Sequence, residues 1–114
     1  MIYANPGEKD ALITFKAQYE NYIGGEWVKP VNGQYFENIS PVNGKVFCKV
    51  ARSDKDDIEL ALDKAHAVKA QWGTTSVTDR SNVLLKIADR IEQNLELLAV
   101  AETWDNGKAI RETL

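Results

Sequence analysis

Cys48 and His66 are the natural starting points for chemistry, because each is the sole residue of its type in the chain. A cysteine nucleophile needs a base, a cation or a helix N-terminus to lower its pKa. Cys48 instead alternates in phase with Val46 and Val50, which predicts a small apolar filler on one face of a strand. His66 lies between Ala65 and Ala67 in a helical pattern, with no second histidine and no cysteine at ligand spacing. A metal centre or a Ser-His-Asp triad would lack its partners, so His66 is expected to be structural. Phosphate loops fail as well. Gly107-Lys108 would need a glycine at position 102, which is Glu102, and no G-x-G-x-x-G occurs. The cluster Asp54, Asp56, Asp57 and Glu59 stands at a predicted helix start, where carboxylates complement the positive end of the dipole. Asp105-Asn106-Gly107 places a carboxylate beside exposed helix-end carbonyls, an arrangement that could suit a hard cation, although the residues by themselves favour an ordinary capped C-terminus.

The elements that must position these residues change character along the chain. Residues 1–20 hold no period for long and are expected to form an arm lying on something else. From Asn21 to Ala51, three turn signals, Gly24-Gly25, Asn32-Gly33 and Asn43-Gly44, separate short aromatic and β-branched runs, which predicts a small antiparallel meander. Pro30 and Pro41 cannot donate to a ladder and belong at strand ends or on an edge.

After Arg52 the period becomes helical. Ser53 is predicted to cap a first helix, with Asp56 three residues on, a stripe of Ile58, Ala61, Leu62, Ala65, Val68 and Trp72, and Gly73 at its C-terminal cap. Ser76 and Asp79 repeat the start for a second helix with the stripe Val83, Leu84, Ile87, Ala88 and Ile91, ending near Asn94. A third helix spans about 95–105, with Leu95, Leu98 and Ala101 or Glu102 inward, and Asn106-Gly107 closes it. Residues 108–114 open a further helical pattern that is left unfinished, which is expected of a piece of a larger domain.

Composition bounds the function. The 114 residues are 44% hydrophobic and 27% charged, as in an ordinary soluble globular domain. Fourteen basic against seventeen acidic side chains leave a net charge of -3, which disfavours nucleic acid and anionic membranes as partners. A single cysteine excludes an intramolecular disulfide, and the N-terminal residues lack a signal-peptide pattern, so a cytoplasmic setting is expected. The longest apolar run, Leu97 to Ala101, is far short of a membrane span.

Four landmarks carry a family resemblance: Tyr22-Ile23-Gly24-Gly25-Glu26-Trp27-Val28, Ile39-Ser40-Pro41-Val42-Asn43-Gly44, the helix ending in Trp72, and Glu102-Thr103-Trp104-Asp105-Asn106-Gly107-Lys108. In order and spacing they resemble the N-terminal part of NAD(P)-dependent aldehyde dehydrogenases. The stretch 80–113 resembles most the bacterial group that oxidises acetaldehyde and similar short aldehydes. The resemblance implies an α/β fold, with residues 1–20 as an arm, 21–51 as a short antiparallel β-meander, and 52–114 as three to four helices leading into a Rossmann-like domain. It also implies oxidation of an aldehyde to a carboxylic acid: a cysteine thiolate attacks the carbonyl, hydride passes to the nicotinamide, and a glutamate-activated water hydrolyses the thioester. In family members the catalytic cysteine, the glutamate and the cofactor-binding strands all lie beyond the position of Leu114, so no catalytic or cofactor-binding residue carries over and Cys48 is not the nucleophile.

A monovalent cation site does carry over in part, onto the main-chain oxygens of Asn38 and Ile39 and the carboxylate of Asp105. The family further implies NAD or NADP as cofactor, a small aldehyde as substrate, and a homo-oligomer, dimer or tetramer. The isolated chain is expected to be inactive and to expose an apolar patch. The alternative is a free-standing binding or assembly module derived from the same family.

Overall fold

The computed structural model describes residues 3–114; residues 1 and 2 of the expected arm lie outside the described residues. Five strands precede four helices: β1 (Gln18–Tyr19), β2 (Asn21–Ile23), β3 (Glu26–Val28), β4 (Tyr35–Ile39), β5 (Val46–Ala51), α1 (Lys55–Gly73), α2 (Val77–Gln93), α3 (Leu95–Asn106) and α4 (Ile110–Thr113).

The single antiparallel meander is corrected. β2 and β3 form a separate two-stranded hairpin, while β1, β5 and β4 form a three-stranded sheet in that order. β5 is central: it pairs antiparallel with β4 and parallel with β1 from the arm. On its second edge β5 is covered by β1 only at Lys49 and Val50. Between β3 and β4 the chain makes a turn, closed by Gly33 N–H on the Pro30 carbonyl at 2.8 Å, that lies against the start of α1. There the Val31 amide donates to the Asp57 carboxylate at 2.8 Å.

The hairpin turns behave as their residues require. Gly24 and Gly25 both have positive φ, the condition for the tight turn between β2 and β3, where Tyr22 and Trp27 face each other with ring centroids 5.0 Å apart. Between β4 and β5 the register jumps from Asn38↔Cys48 to Ile39↔Val46, leaving Phe47 as the extra residue of a bulge. The bulge breaks the expected alternation: Val46 is exposed while Cys48 is buried. Phe47 stacks edge-on against Phe15 of the arm at 4.8 Å, which ties the arm to the sheet.

The first helix starts one residue later than predicted. Asp54, not Ser53, is the N-cap, and it forms a reciprocal box with Asp57: the Asp56 amide donates to Asp54 at 2.9 Å and the Asp54 amide to Asp57 at 2.9 Å. Ser53 is taken up by Asn21, whose side-chain amide donates to its hydroxyl at 2.8 Å. Nor is Gly73 the C-cap, because Thr74 in a right-handed conformation ends α1 and its hydroxyl donates to the Gln71 carbonyl at 2.8 Å. For α2 the prediction holds, with the Asp79 amide donating to Ser76 at 3.0 Å and Asn94 at the C-terminal end.

The expected inner faces of the helices are not buried. Ile58, Leu62, Val68 and Trp72 on α1 and Val83, Leu84, Ile87 and Ile91 on α2 are all exposed. On α3 the buried pair is Ala99 and Val100, whereas Leu95 and Leu98 are exposed. The chain is accordingly extended, with a radius of gyration of 17.5 Å against about 13 Å for a compact domain of this length. Its accessible surface is 8780 Å², and a folded monomer of this mass exposes about 6,300 Å².

Candidate functional site

Two of the residues named as a cation site, Asn38 and Asp105, meet where the end of β4 abuts the C-terminus of α3. The Asn38 side-chain amide donates to Asp105 Oδ1 at 2.8 Å, closing a contact between residues 67 positions apart in sequence. Two residues on, Ser40 is fully buried; its hydroxyl donates to the Trp104 carbonyl at 2.5 Å and accepts from the Val42 amide at 3.2 Å. The Trp104 carbonyl is one of the helix-end acceptors that lose an intrahelical partner. Gly107 ends α3 in the left-handed conformation with φ 80°, and its amide donates to the Thr103 carbonyl. A Cβ on Gly107 would stand 3.0 Å from Pro41 Cγ, so the close approach of β4 to the helix end requires glycine there twice over.

Asn38 and Asp105 are thus brought together through their side chains, while the Ile39 side chain is turned to the surface. Ser40 is the residue that reading the sequence missed. Its place in Ile39-Ser40-Pro41 was visible, but its partner lies 64 residues away and no local spacing announces it.

Asp105 Oδ1 already accepts a hydrogen bond, and among the described residues no three His, Cys, Asp or Glu side chains gather as a metal site.

Cys48 faces Asn38 across the β4–β5 ladder. Burial pushes its thiol pKa up; the hydrogen bond with Asn38 opposes this and the nearby Asp105 charge adds to the rise. A buried thiol with a raised pKa is a poor nucleophile. His66 Nδ1 lies 2.8 Å from the Leu62 carbonyl one turn back on α1, an exposed contact local to the helix.

Among the described residues the glycines with positive φ are Gly7, Gly24, Gly25, Gly33, Gly44 and Gly107. They serve loops, hairpins and a helix C-terminus, whereas a pyrophosphate cradle needs its glycines opening a helix.

Further polar contacts fix the arm and the helix start. Tyr35 donates to Glu20 at 2.5 Å, and this bond, with some desolvation and the carboxylate charge, pushes the phenol pKa up to about 12. Asp57 is held below the usual carboxylate range by the amides of Asp54 and Val31. Asn32 also donates its side-chain amide to Asp54, so the loop before β4 is pinned to the same helix start.

Comparison with known proteins agrees with the landmarks. Residues 27–114 match the aldehyde dehydrogenase family. The chain is 68% identical over 114 residues to an acetaldehyde dehydrogenase of Pseudomonas aeruginosa, covering all of this chain and 22% of that protein. It is 63% identical over 114 residues to a long-chain-aldehyde dehydrogenase of Acinetobacter, covering 23% of it. Among solved structures it superposes on the betaine aldehyde dehydrogenase of Staphylococcus aureus in complex with NAD+ with a TM-score of 0.77 at 34% identity, covering 82% of this chain and 19% of that one. The chain spans about a fifth of the length of the curated relatives it matches.

Proposed function

The chain belongs to the aldehyde dehydrogenase family, and from that premise we propose that it is the N-terminal portion of an NAD(P)-dependent enzyme oxidising acetaldehyde or another short aliphatic aldehyde to its acid. The observation that carries the reading is the 68% identity, over every residue of this chain, to a relative described as an acetaldehyde dehydrogenase. The long-chain relative at 63% identity makes chain length the point for experiment to decide. The 114 residues contribute scaffold: a sheet whose β4 grips the end of α3, and helices that present apolar faces outward. Among the described residues the one thiol, Cys48, is buried with a raised pKa and no positive-φ glycine opens a helix; on this reading the chain alone is inactive, and reaction and cofactor binding fall to the rest of the enzyme. The intact enzyme works in the cytoplasm as a homo-oligomer, dimer or tetramer.

The test is to recover the native polypeptide from its source cells with an antibody to this segment and assay it beside the purified 114-residue chain. Expected is NADH or NADPH formation with acetaldehyde by the recovered protein, faster than with a long-chain aldehyde, and none by the chain alone. Turnover by pure 114-residue chain would overturn the scaffold reading, and its absence from the recovered protein would overturn the activity.

The partial shell at Asn38, Ile39 and Asp105 is proposed to hold a monovalent cation when further oxygens complete it. The support is the placement of Asp105 against the end of β4. A thermal midpoint of the recovered protein that is higher in potassium or sodium than in tetramethylammonium, at equal ionic strength, is the expected result. Equal midpoints would remove the cation.

A further inference from the structure

The chain contains the steps Asn32-Gly33, Asn43-Gly44 and Asn106-Gly107. In each of them the main-chain nitrogen of the second residue can attack the side-chain carbonyl carbon of the first, and glycine, having no Cβ, hinders that approach least. All three asparagines are exposed, so access of water does not separate them. Nor does the attacking nitrogen: the amides of Gly33, Gly44 and Gly107 each donate at 2.8 Å to a main-chain carbonyl, those of Pro30, Ser40 and Thr103 in turn.

The asparagine side chains do separate them. In such a ring closure the side-chain nitrogen departs and the side-chain oxygen gathers negative charge. Asn32 donates its nitrogen to the Asp54 carboxylate, a bond that must break before the side chain can turn back on Gly33. Asn106 donates its nitrogen to Glu102 at 2.6 Å, and the next residue, Gly107, is hemmed in by Pro41, 3.0 Å from its Cβ position. Asn43 lies in the turn between β4 and β5. Among the described residues its side-chain nitrogen has no hydrogen-bond partner, and nothing lies within 4 Å of the Cβ position at Gly44. Its oxygen accepts from the Lys45 amide at 3.0 Å, a donor aimed at the atom on which charge develops. The Lys108 amide makes the same contact to Asn106 at 2.8 Å, so the free nitrogen and the open space are what set Asn43 apart.

We propose that Asn43 is a site of covalent modification by its own main chain, and that the fold protects Asn32 and Asn106 from the same reaction. The Gly44 nitrogen gives its proton to solvent base and bonds to Cγ of Asn43. The Cγ–Nδ2 bond breaks, and ammonia leaves with a proton from water. A second water opens the cyclic imide at either carbonyl, giving aspartate or isoaspartate with no change of oxidation state. Ring closure takes the Gly44 amide away from the Ser40 carbonyl, so the modification reaches the corner where Ser40 holds Trp104.

The test uses the native polypeptide, recovered with an antibody to this segment and held folded in heavy-oxygen water at mildly alkaline pH. Peptides are then prepared in ordinary water and fragmented to locate the label. Each hydrolysis fixes one solvent oxygen, so the label counts the reaction and ignores aspartate already present. Expected is label at Asn43 at least about fivefold above that at Asn32 or Asn106, the worth of about one side-chain hydrogen bond to the departing nitrogen. In guanidinium chloride the three sites are expected to label within about twofold of one another, since each is followed by glycine. Absence of label at Asn43 in the folded protein, equal or greater label at Asn32 or Asn106, or a preference for Asn43 that survives unfolding would each overturn the proposal.

Discussion

The corner where β4 meets α3 and the two long helices α1 and α2 are built on opposite principles. At the corner almost every contact is polar, specific and internal to the chain: Asn38 to Asp105, Ser40 to Trp104, and Gly107 under Pro41. Along α1 and α2 the helices are well formed and capped, yet their apolar stripes touch little. Local hydrogen bonds and propensity therefore specify the helices, while the burial that normally stabilises an amphipathic helix is missing. Substitutions at the corner should change stability, and substitutions on the stripes should change association.

The largest effect is expected at Gly107. Gly107→Val forces a β-branched residue to φ 80° and drives its side chain into Pro41, 3.0 Å from the Cβ position. A loss of about 3 kcal/mol in denaturant unfolding is expected from strain and overpacking together. Gly25 is the control, because its φ is also positive but nothing lies within 4 Å. Gly25→Asn should cost well under half as much, since asparagine suits such a turn. Equal losses would mean that the closeness of β4 to α3 contributes nothing.

Next comes Ser40→Ala, which leaves the Trp104 carbonyl and the Val42 amide without their buried partner. About 1–3 kcal/mol is expected, with no change in hydrodynamic radius.

How much of this was legible depends on the sequence distance of the partner. Gly24-Gly25, the Ser76 cap, Asn94 and the Gly107 terminus were read correctly because each is decided within four residues. The first helix start was misplaced by one, since Ser53 and Asp54 are both good caps. Only the long-range partners separate them: Asn21 takes Ser53, and the Val31 amide takes Asp57. β1 was invisible, as two residues in parallel pairing leave no periodicity to find. Ser40 escaped because its partner is distant. The stripes were recognised as faces needing cover, but a sequence pattern states that a face is apolar and not which polypeptide lies on it.

Smaller effects appear at the extremes of pH. The folded pKa of Asp57 is lowered, so its contribution is complete above about pH 4, the unfolded value, and fades as pH falls through the lower folded one. Asp57→Asn should flatten the acid limb of a stability profile. Tyr35 has the opposite sign: its folded pKa is raised to about 12, so its contribution is complete below about pH 10 and is lost as pH rises through 12. Tyr35→Phe should flatten the alkaline limb and leave the acid limb alone. A wild-type profile matching both variants would show that neither contact differs between the folded and unfolded chain.

The smallest effect on stability is expected at Leu84, and it sharpens the contrast most. Leu84 is 68% exposed on α2, so Leu84→Gln removes no packing and keeps a good helix former. The change in unfolding free energy should stay within about 0.5 kcal/mol. The average mass of the isolated chain at high concentration should nevertheless fall toward 12.8 kDa, because an exposed apolar stripe drives self-association in proportion to its area. Sedimentation equilibrium on the two proteins separates these quantities. A destabilised Leu84→Gln would mean that α2 is packed in solution and that the bare stripe is no feature of the chain. An unchanged stability with reduced association would place the role of α2 in what it binds, while the corner at Ser40 and Gly107 holds the unit together.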